Sequence, residues 1–260
     1  MPEELRRDDI NRSFWRPTSA AAAAITVVAL PGFLIGAYAP EIKEDLSFGD
    51  TELGALLTSG YLISSIVMST AGGIADRRGP RLVLRIGVII AALAAFLTGL
   101  ISNTYLLLLI CLGLNRVAEG IIQPATNTLI STGVAPTRQG IAMATKQSAV
   151  PFSTALAGFA VPTLGLFFDW RGTFLLVACL AVPTWLLIPN IKVSETKEFS
   201  SRREMWGSRH LQIIAVAGAF SAAAVVTVAG FLTTSAKNAG YSESSAGLIL
   251  GLGGVVMIAA

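Results

Sequence analysis

Hydrophobic and polar positions in this chain alternate in blocks of about twenty residues, the length at which a helix rising about 1.5 Å per residue crosses a bilayer core. Apolar runs occupy residues 19–39, 53–75, 86–101, 105–130, 147–168, 172–188, 211–236 and 244–260. The second and third contain no Asp, Glu, Lys, Arg or His. This pattern predicts an all-α integral membrane protein with about eight transmembrane helices. Residues 1–18 are polar and mixed in sign, and residues 191–210 carry a dense set of charges from Lys192 to Arg209. The expected organisation is therefore a tail at 1–18, a six-helix bundle at 19–190, a linker at 191–210, and two helices of a second bundle at 211–260.

Charge sharpens the topology. With 53% hydrophobic and 13% charged residues the composition fits lipid, not water. The net charge of +3 does not point to nucleic acid, because the basic residues fall between apolar runs and not along one face. With the N-terminal tail in the cytoplasm of a cell (inner or plasma) membrane, fifteen of the nineteen Lys and Arg residues lie in cytoplasmic segments. Only Lys43, Arg171 and Lys237 are external, and Arg116 is left inside the fourth span.

Burying that arginine is costly, about 2.5–3.5 kcal/mol for a lone charge on the insertion scale, so a reason for it is expected. Arg116, Gly120, Gln123 and Asn127 recur at helical spacing and share one face, a stripe suited to a wet cavity. Glu119, three residues from Arg116, can pair with it on the same helix. A purely structural intrahelical pair is the competing reading. Lys146 and Gln147 open the fifth span; Lys146 either snorkels to the membrane surface or binds anions from the inner side. Tyr38 closes the first span, a position that suits interfacial anchoring of an aromatic ring.

The most charged point among the first spans is Gly72-Gly73-Ile74-Ala75-Asp76-Arg77-Arg78-Gly79-Pro80-Arg81, read as a short basic turn. Gly72, Asp76, Arg77, Gly79 and Arg81 resemble the G-x-x-x-D-[RK]-x-G-[RK]-[RK] loop between the second and third helices of the major facilitator superfamily of secondary transporters. Pro80 replaces one basic residue of that pattern. Arg116 and Gly120 resemble the arginine and glycine of the superfamily's fourth helix, which the resemblance associates with proton coupling or substrate binding. Residues 243–250 also echo residues 50–57, each an acid followed by a glycine and an aliphatic run, as expected if a second copy of a six-helix unit follows the first.

The resemblance implies alternating access by two six-helix halves about a midplane site. It casts Gly72, Asp76, Arg77, Gly79 and Arg81 as a cytoplasmic gating latch and, since the superfamily's first and seventh helices line its cavity, Tyr38 and Phe231 as substrate contacts near the external side. Together with the stripe on the fourth span, the candidates are Arg116, Gln123, Asn127, Tyr38 and Gln147 for substrate binding and Glu119 with Arg116 for proton coupling. On this reading the chain stops two helices into its second half, and the missing half or a partner chain must complete it. The implied function is secondary transport of a small solute, with Arg116 and Lys146 favouring an organic anion and a proton as a possible co-substrate. A non-transporting receptor or regulatory half-transporter stands as an alternative. A drug-proton antiporter is another, although the G-x-x-x-G-P-x-x-G-G element of such antiporters is absent around Pro151. No cofactor is expected: Cys111, Cys179 and His210 form no metal-ligand spacing, and there is no nucleotide loop or nucleophile-base pair for an enzyme.

Overall fold

The computed structural model describes residues 3–190 and 209–259, with side chains over 14–190 and 209–258. Among these residues the secondary structure is helix and short turns. The helices are α1 (Glu3–Ala37), α2 (Ala39–Leu46), α3 (Asp50–Arg78), α4 (Pro80–Ile101), α5 (Tyr105–Gly133), α6 (Gln139–Gln147), α7 (Ala149–Thr163), α8 (Trp170–Leu187), α9 (Arg209–Asn238) and α10 (Glu243–Ala259). Seven helical segments are long and apolar enough to cross a membrane, α6 and α7 sharing the segment Pro136–Leu166; the apolar stretch Glu243–Ile258 is shorter. The protein is thus an all-helical, multi-pass membrane protein. The linker expected at 191–210, with Trp206, lies outside the described residues except for its last two positions.

Two local expectations change. The expected turn from Gly72 to Arg81 is almost wholly helical: α3 runs to Arg78 and α4 starts at Pro80. The chain reverses at Gly79 alone, at φ 84°, a conformation open to glycine at no steric cost. Proline is well suited to the first helical position that follows, since its missing N–H has no partner there anyway. The polar connection 131–146 is also mostly helix: α6 turns Ala142 and Lys146, four residues apart on one face, into the protein and leaves Ile141 exposed. Between the first two spans, residues 39–46 form the short surface helix α2.

The described spans alternate between a Gly79 end and a Tyr38 end. α1 is the axial helix, buried from Ile25 to Tyr38 but for Thr26, and packed on α5, α7 and α8. Lipid tails are as apolar as leucine, so burial alone does not drive helices together there; close approach of small residues does. A Cβ at Gly87 would sit 2.6 Å from Ile122 Cγ1, which shows how tightly α4 meets α5. Gly36 lies against Ala229 and Gly230 of α9, and Thr233 Oγ1 donates a very short hydrogen bond to the Gly36 carbonyl. Gly158 meets Gly247 and Gly251 in the same way, so α7 and α10 pack at backbone distance.

Candidate functional site

Arg116 lies near the middle of α5 and is 2% exposed. Its Nη1 donates to Glu119 Oε2 at 2.7 Å, and its guanidinium carbon stands 4.2 Å from the Tyr61 ring centroid. Glu119 is 13% exposed, so the carboxylate offsets the buried cation from the same helix. Two glycines make the room. A Cβ at Gly60 of α3 would fall 3.0 Å from Arg116 Cγ, and one at Gly32 of α1 would run into the guanidinium. Arg116 Nε has no hydrogen-bond partner. The arginine is therefore boxed by α1, α3 and its own helix, with Glu119 as counter-ion and Tyr61 as lid.

Lys146 is held differently. It is 4% exposed, which excludes the snorkelling reading: the side chain turns inward from α6 onto α5. Its Nζ donates to Asn127 Oδ1 at 2.7 Å and to Gln123 Oε1 at 3.2 Å. Both acceptors are neutral amides, and among the described residues no carboxylate lies within ion-pair distance of it. Gln123 and Asn127 follow Arg116 by two and three helical turns, so the lysine group sits about 10 Å or more along α5 toward the Gly79 end. Asn127 is exposed, which places the group at the edge of accessible space. Gln147 is exposed and takes no part in this cluster.

The remaining candidates separate. Tyr38 is 2% exposed; its hydroxyl donates to the Ala160 carbonyl at 3.1 Å and shares a 3.1 Å hydrogen bond with Thr173 Oγ1, tying α1 to α7 and α8. That is a core position, outside the set of contacts that holds Arg116. Phe231 of α9, by contrast, lines a cavity of about 430 Å³ with Leu57, Thr58, Tyr61 and Ser65 of α3. At the Gly79 end, Asp76 Oδ1 accepts from Thr128 Oγ1 at 2.9 Å, fastening α3 to α5. Gly72 faces Pro124 across that contact, Arg77 is exposed, and Arg77 and Arg81 have no carboxylate partner among the described residues.

The Tyr38 end is laced by charge. Lys43 pairs with Asp50 at 2.6 Å, Arg171 with Asp45 at 2.6 Å, and Lys237 with Glu243 at 2.6 Å. Asp50 and Glu243, the acids of the internal echo, thus each pair with a lysine from the segment before their helix. The start of α3 is capped by Glu52, whose Oε2 accepts the Gly49 N–H at 3.0 Å. Glu41 accepts the Trp170 N–H at 3.3 Å. Burial pushes the Glu41 carboxyl above the ordinary carboxylate range; that hydrogen bond works against the rise, and the Glu243, Asp169 and Asp45 carboxylates add to it.

A basic one-residue reversal after a helix bearing a tethered aspartate, and a boxed arginine on the next helix but one, bear on ancestry, and a family model decides it: that of the Major Facilitator Superfamily matches residues 21–260. The chain belongs to the Major Facilitator Superfamily. Among its relatives, the "Probable L-galactonate transporter" of Escherichia coli (strain K12) is 27% identical over 141 residues, covering 54% of this chain and 31% of that protein. The "Hexuronate transporter" of Bacillus subtilis (strain 168) is 26% identical over 145 residues, covering 55% of this chain and 34% of its own. The matches thus span about a third of each relative's length. Solved transporter structures align over nearly the whole chain and share its fold. A bacterial homolog of the human lysosomal transporter Spinster, inward-facing and unoccupied, superposes with TM-score 0.76 at 18% identity over 94% of this chain and 60% of its own. The D-xylose-proton symporter gives 0.65 at 17% identity, over 94% and 66%.

Several site residues were not singled out from sequence. Tyr61 is the sole aromatic residue of α3 and follows Gly60 directly, which is the signal that could have found it. Pro31-Gly32 marks a place where α1 bends or packs closely, without saying against what; Gly60 and Thr128 gave no signal, because their roles depend on which helix lies opposite.

Proposed function

We propose that this chain supplies the substrate-binding bundle of a secondary transporter that moves a small organic anion by alternating access, and that the bound carboxylate is met by Lys146, Gln123 and Asn127. One observation carries the reading: Lys146 is a buried cation held only by neutral amides. A buried charge needs an opposite charge to offset its desolvation, and Arg116 has its own in Glu119. An incoming carboxylate can take that place at Lys146, with the amide of Gln123 or Asn127 turning to donate. The galactonate and hexuronate transporters among the relatives have names that denote sugar acids, the same chemical class.

In this reading the Gly79 end faces the cytoplasm, which the distribution of arginines supports. Contacts of α1 and α2 with α9 close the external side, and the cavity lined by Tyr61 and Phe231 belongs to the central pathway. Asp76, Arg77, Gly79 and Arg81 form the cytoplasmic latch, and Glu119 carries the proton of a symport step by releasing Arg116. The transporting unit includes further helices, of the same polypeptide or of a partner chain, since the superfamily structures that match are longer than this one.

The test is uptake of a labelled hexuronate by cells expressing the protein at its natural length. The expected result is uptake driven by an inward proton gradient, lost in Lys146→Gln, and no longer gradient-driven in Glu119→Gln. Equal uptake of the neutral hexose by wild type, or unchanged hexuronate uptake in Lys146→Gln, contradicts the proposal.

A further inference from the structure

Away from the central pathway, the Gly79 end carries a pocket that borrows Arg77 and Arg81 from the proposed latch and adds Arg78 and Arg85, to which the transport reading gives no role. It measures about 450 Å³ and is lined by Arg77, Arg78, Arg81, Arg85, Leu82 and Asn190. Four guanidinium groups share this space, and among the described residues none of them has a carboxylate within ion-pair distance. Arg81 Nε and Arg85 Nε are both sealed from solvent and have no hydrogen-bond partner. Arg85 is held over the Trp185 ring at 4.1 Å, which fixes its fork at the pocket wall. Like charges gathered in this way repel one another unless an anion lies between them, and unpartnered buried N–H donors ask for an acceptor.

The surroundings say which anion. Below the arginines, α4 presents Leu82, Ile86, Ile89, Leu93, Phe96 and Leu100, all exposed and spaced by four and three residues along one side of the helix. Beside it, α8 exposes Val182 and Leu186. The arginine pocket therefore caps an apolar seam that runs the length of the membrane span. A free phosphate uses only the pocket, whereas a phospholipid uses both pocket and seam, with its phosphate among the guanidinium forks and its acyl chains along α4 and α8.

We infer that the pocket formed by Arg77, Arg78, Arg81, Arg85 and Asn190 binds the phosphate-bearing headgroup of an anionic phospholipid in the leaflet at the Gly79 end. Arg81 and Arg85 supply the inward donors, Arg77 and Arg78 the surrounding positive field, and the Asn190 side chain an amide at the rim.

Native mass spectrometry of the whole protein, exchanged into mixed micelles with equal amounts of phosphatidylcholine and phosphatidylglycerol, tests this. Wild type is expected to retain phosphatidylglycerol selectively, and Arg81→Gln/Arg85→Gln to bind it about 20-fold more weakly. Arg81→Lys/Arg85→Lys keeps the charge and is expected to retain the selectivity in part. Arg138→Gln, at the same end but outside the pocket, is expected to behave as wild type. If the double glutamine variant fails to fold by circular dichroism, Arg85→Gln alone carries the comparison. Equal retention of the two lipids, or equal loss in Arg138→Gln, overturns the inference. Displacement of phosphatidylglycerol by millimolar inorganic phosphate also overturns it and makes the pocket a free-phosphate site.

Discussion

Arg116, carried by α5, and Lys146, packed against the same helix, are both buried cations, yet the chain treats them in opposite ways. Arg116 is given a carboxylate one turn away, an aromatic lid and two glycines that clear its path. Lys146 is given two amide oxygens and an open edge at Asn127. The first arrangement is electrically complete, so the arginine has no unmet charge to offer a substrate, and on the transport proposal only protonation of its own carboxylate frees it. The second lacks one negative charge, which is the condition for recognising a charge that arrives from outside. Burial of a cation is thus not by itself a mark of substrate binding; what decides is whether its counter-charge is built in.

The largest effect should come from unpairing the complete cation. Arg116→Met leaves Glu119 buried without a partner and should lower stability by about 3–5 kcal/mol. Arg116→Met/Glu119→Leu should recover most of the loss in thermal unfolding of the detergent-solubilised protein. Lys146→Met should cost only about 1 kcal/mol by the same measurement, since Asn127 can turn to water. Equal losses at the two positions break the contrast.

The box around Arg116 gives a smaller effect. Gly60→Ala drives a methyl group into the arginine stem and should destabilise by about 1–3 kcal/mol. Tyr61→Leu removes the ring from the guanidinium and should cost about 1–2 kcal/mol, more than the same change at the exposed Tyr241. The smallest effect lies at the Tyr38 end. Because the folded state holds the Glu41 proton more tightly than the unfolded state does, its contribution to stability is present at acid pH and fades as the carboxyl ionises. The melting temperature should fall slightly from about pH 4 to about pH 7 through this group, and Glu41→Gln should remove that component of the slope.

Much of this was legible in sequence because a membrane imposes long, simple constraints. A span of about twenty apolar residues announces itself; so did the pairing of Arg116 with Glu119, which needs only helical spacing within one element. What stayed hidden depended on contacts between elements. Gln123 and Asn127 were placed on the right face, but that face meets Lys146 only because 139–147 folds as a helix and not as a polar loop. Tyr38 sits at a span end where anchoring, substrate contact and core packing look alike in sequence, and only the hydrogen bonds to Ala160 and Thr173 show which it does. The basic turn read as a loop because glycines and charges dominate it, whereas Gly72 serves the approach of α5 and Gly79 alone makes the reversal.

The central claim is that the incomplete cation, not the complete one, reads the substrate's charge. Its most direct test is the affinity of the purified protein for a hexuronate and for the corresponding neutral hexose, measured by isothermal titration in wild type, Lys146→Gln and Arg116→Lys. The account predicts a preference of about tenfold or more for the acid in wild type and in Arg116→Lys, and none in Lys146→Gln. A preference that survives in Lys146→Gln but disappears in Arg116→Lys would contradict it.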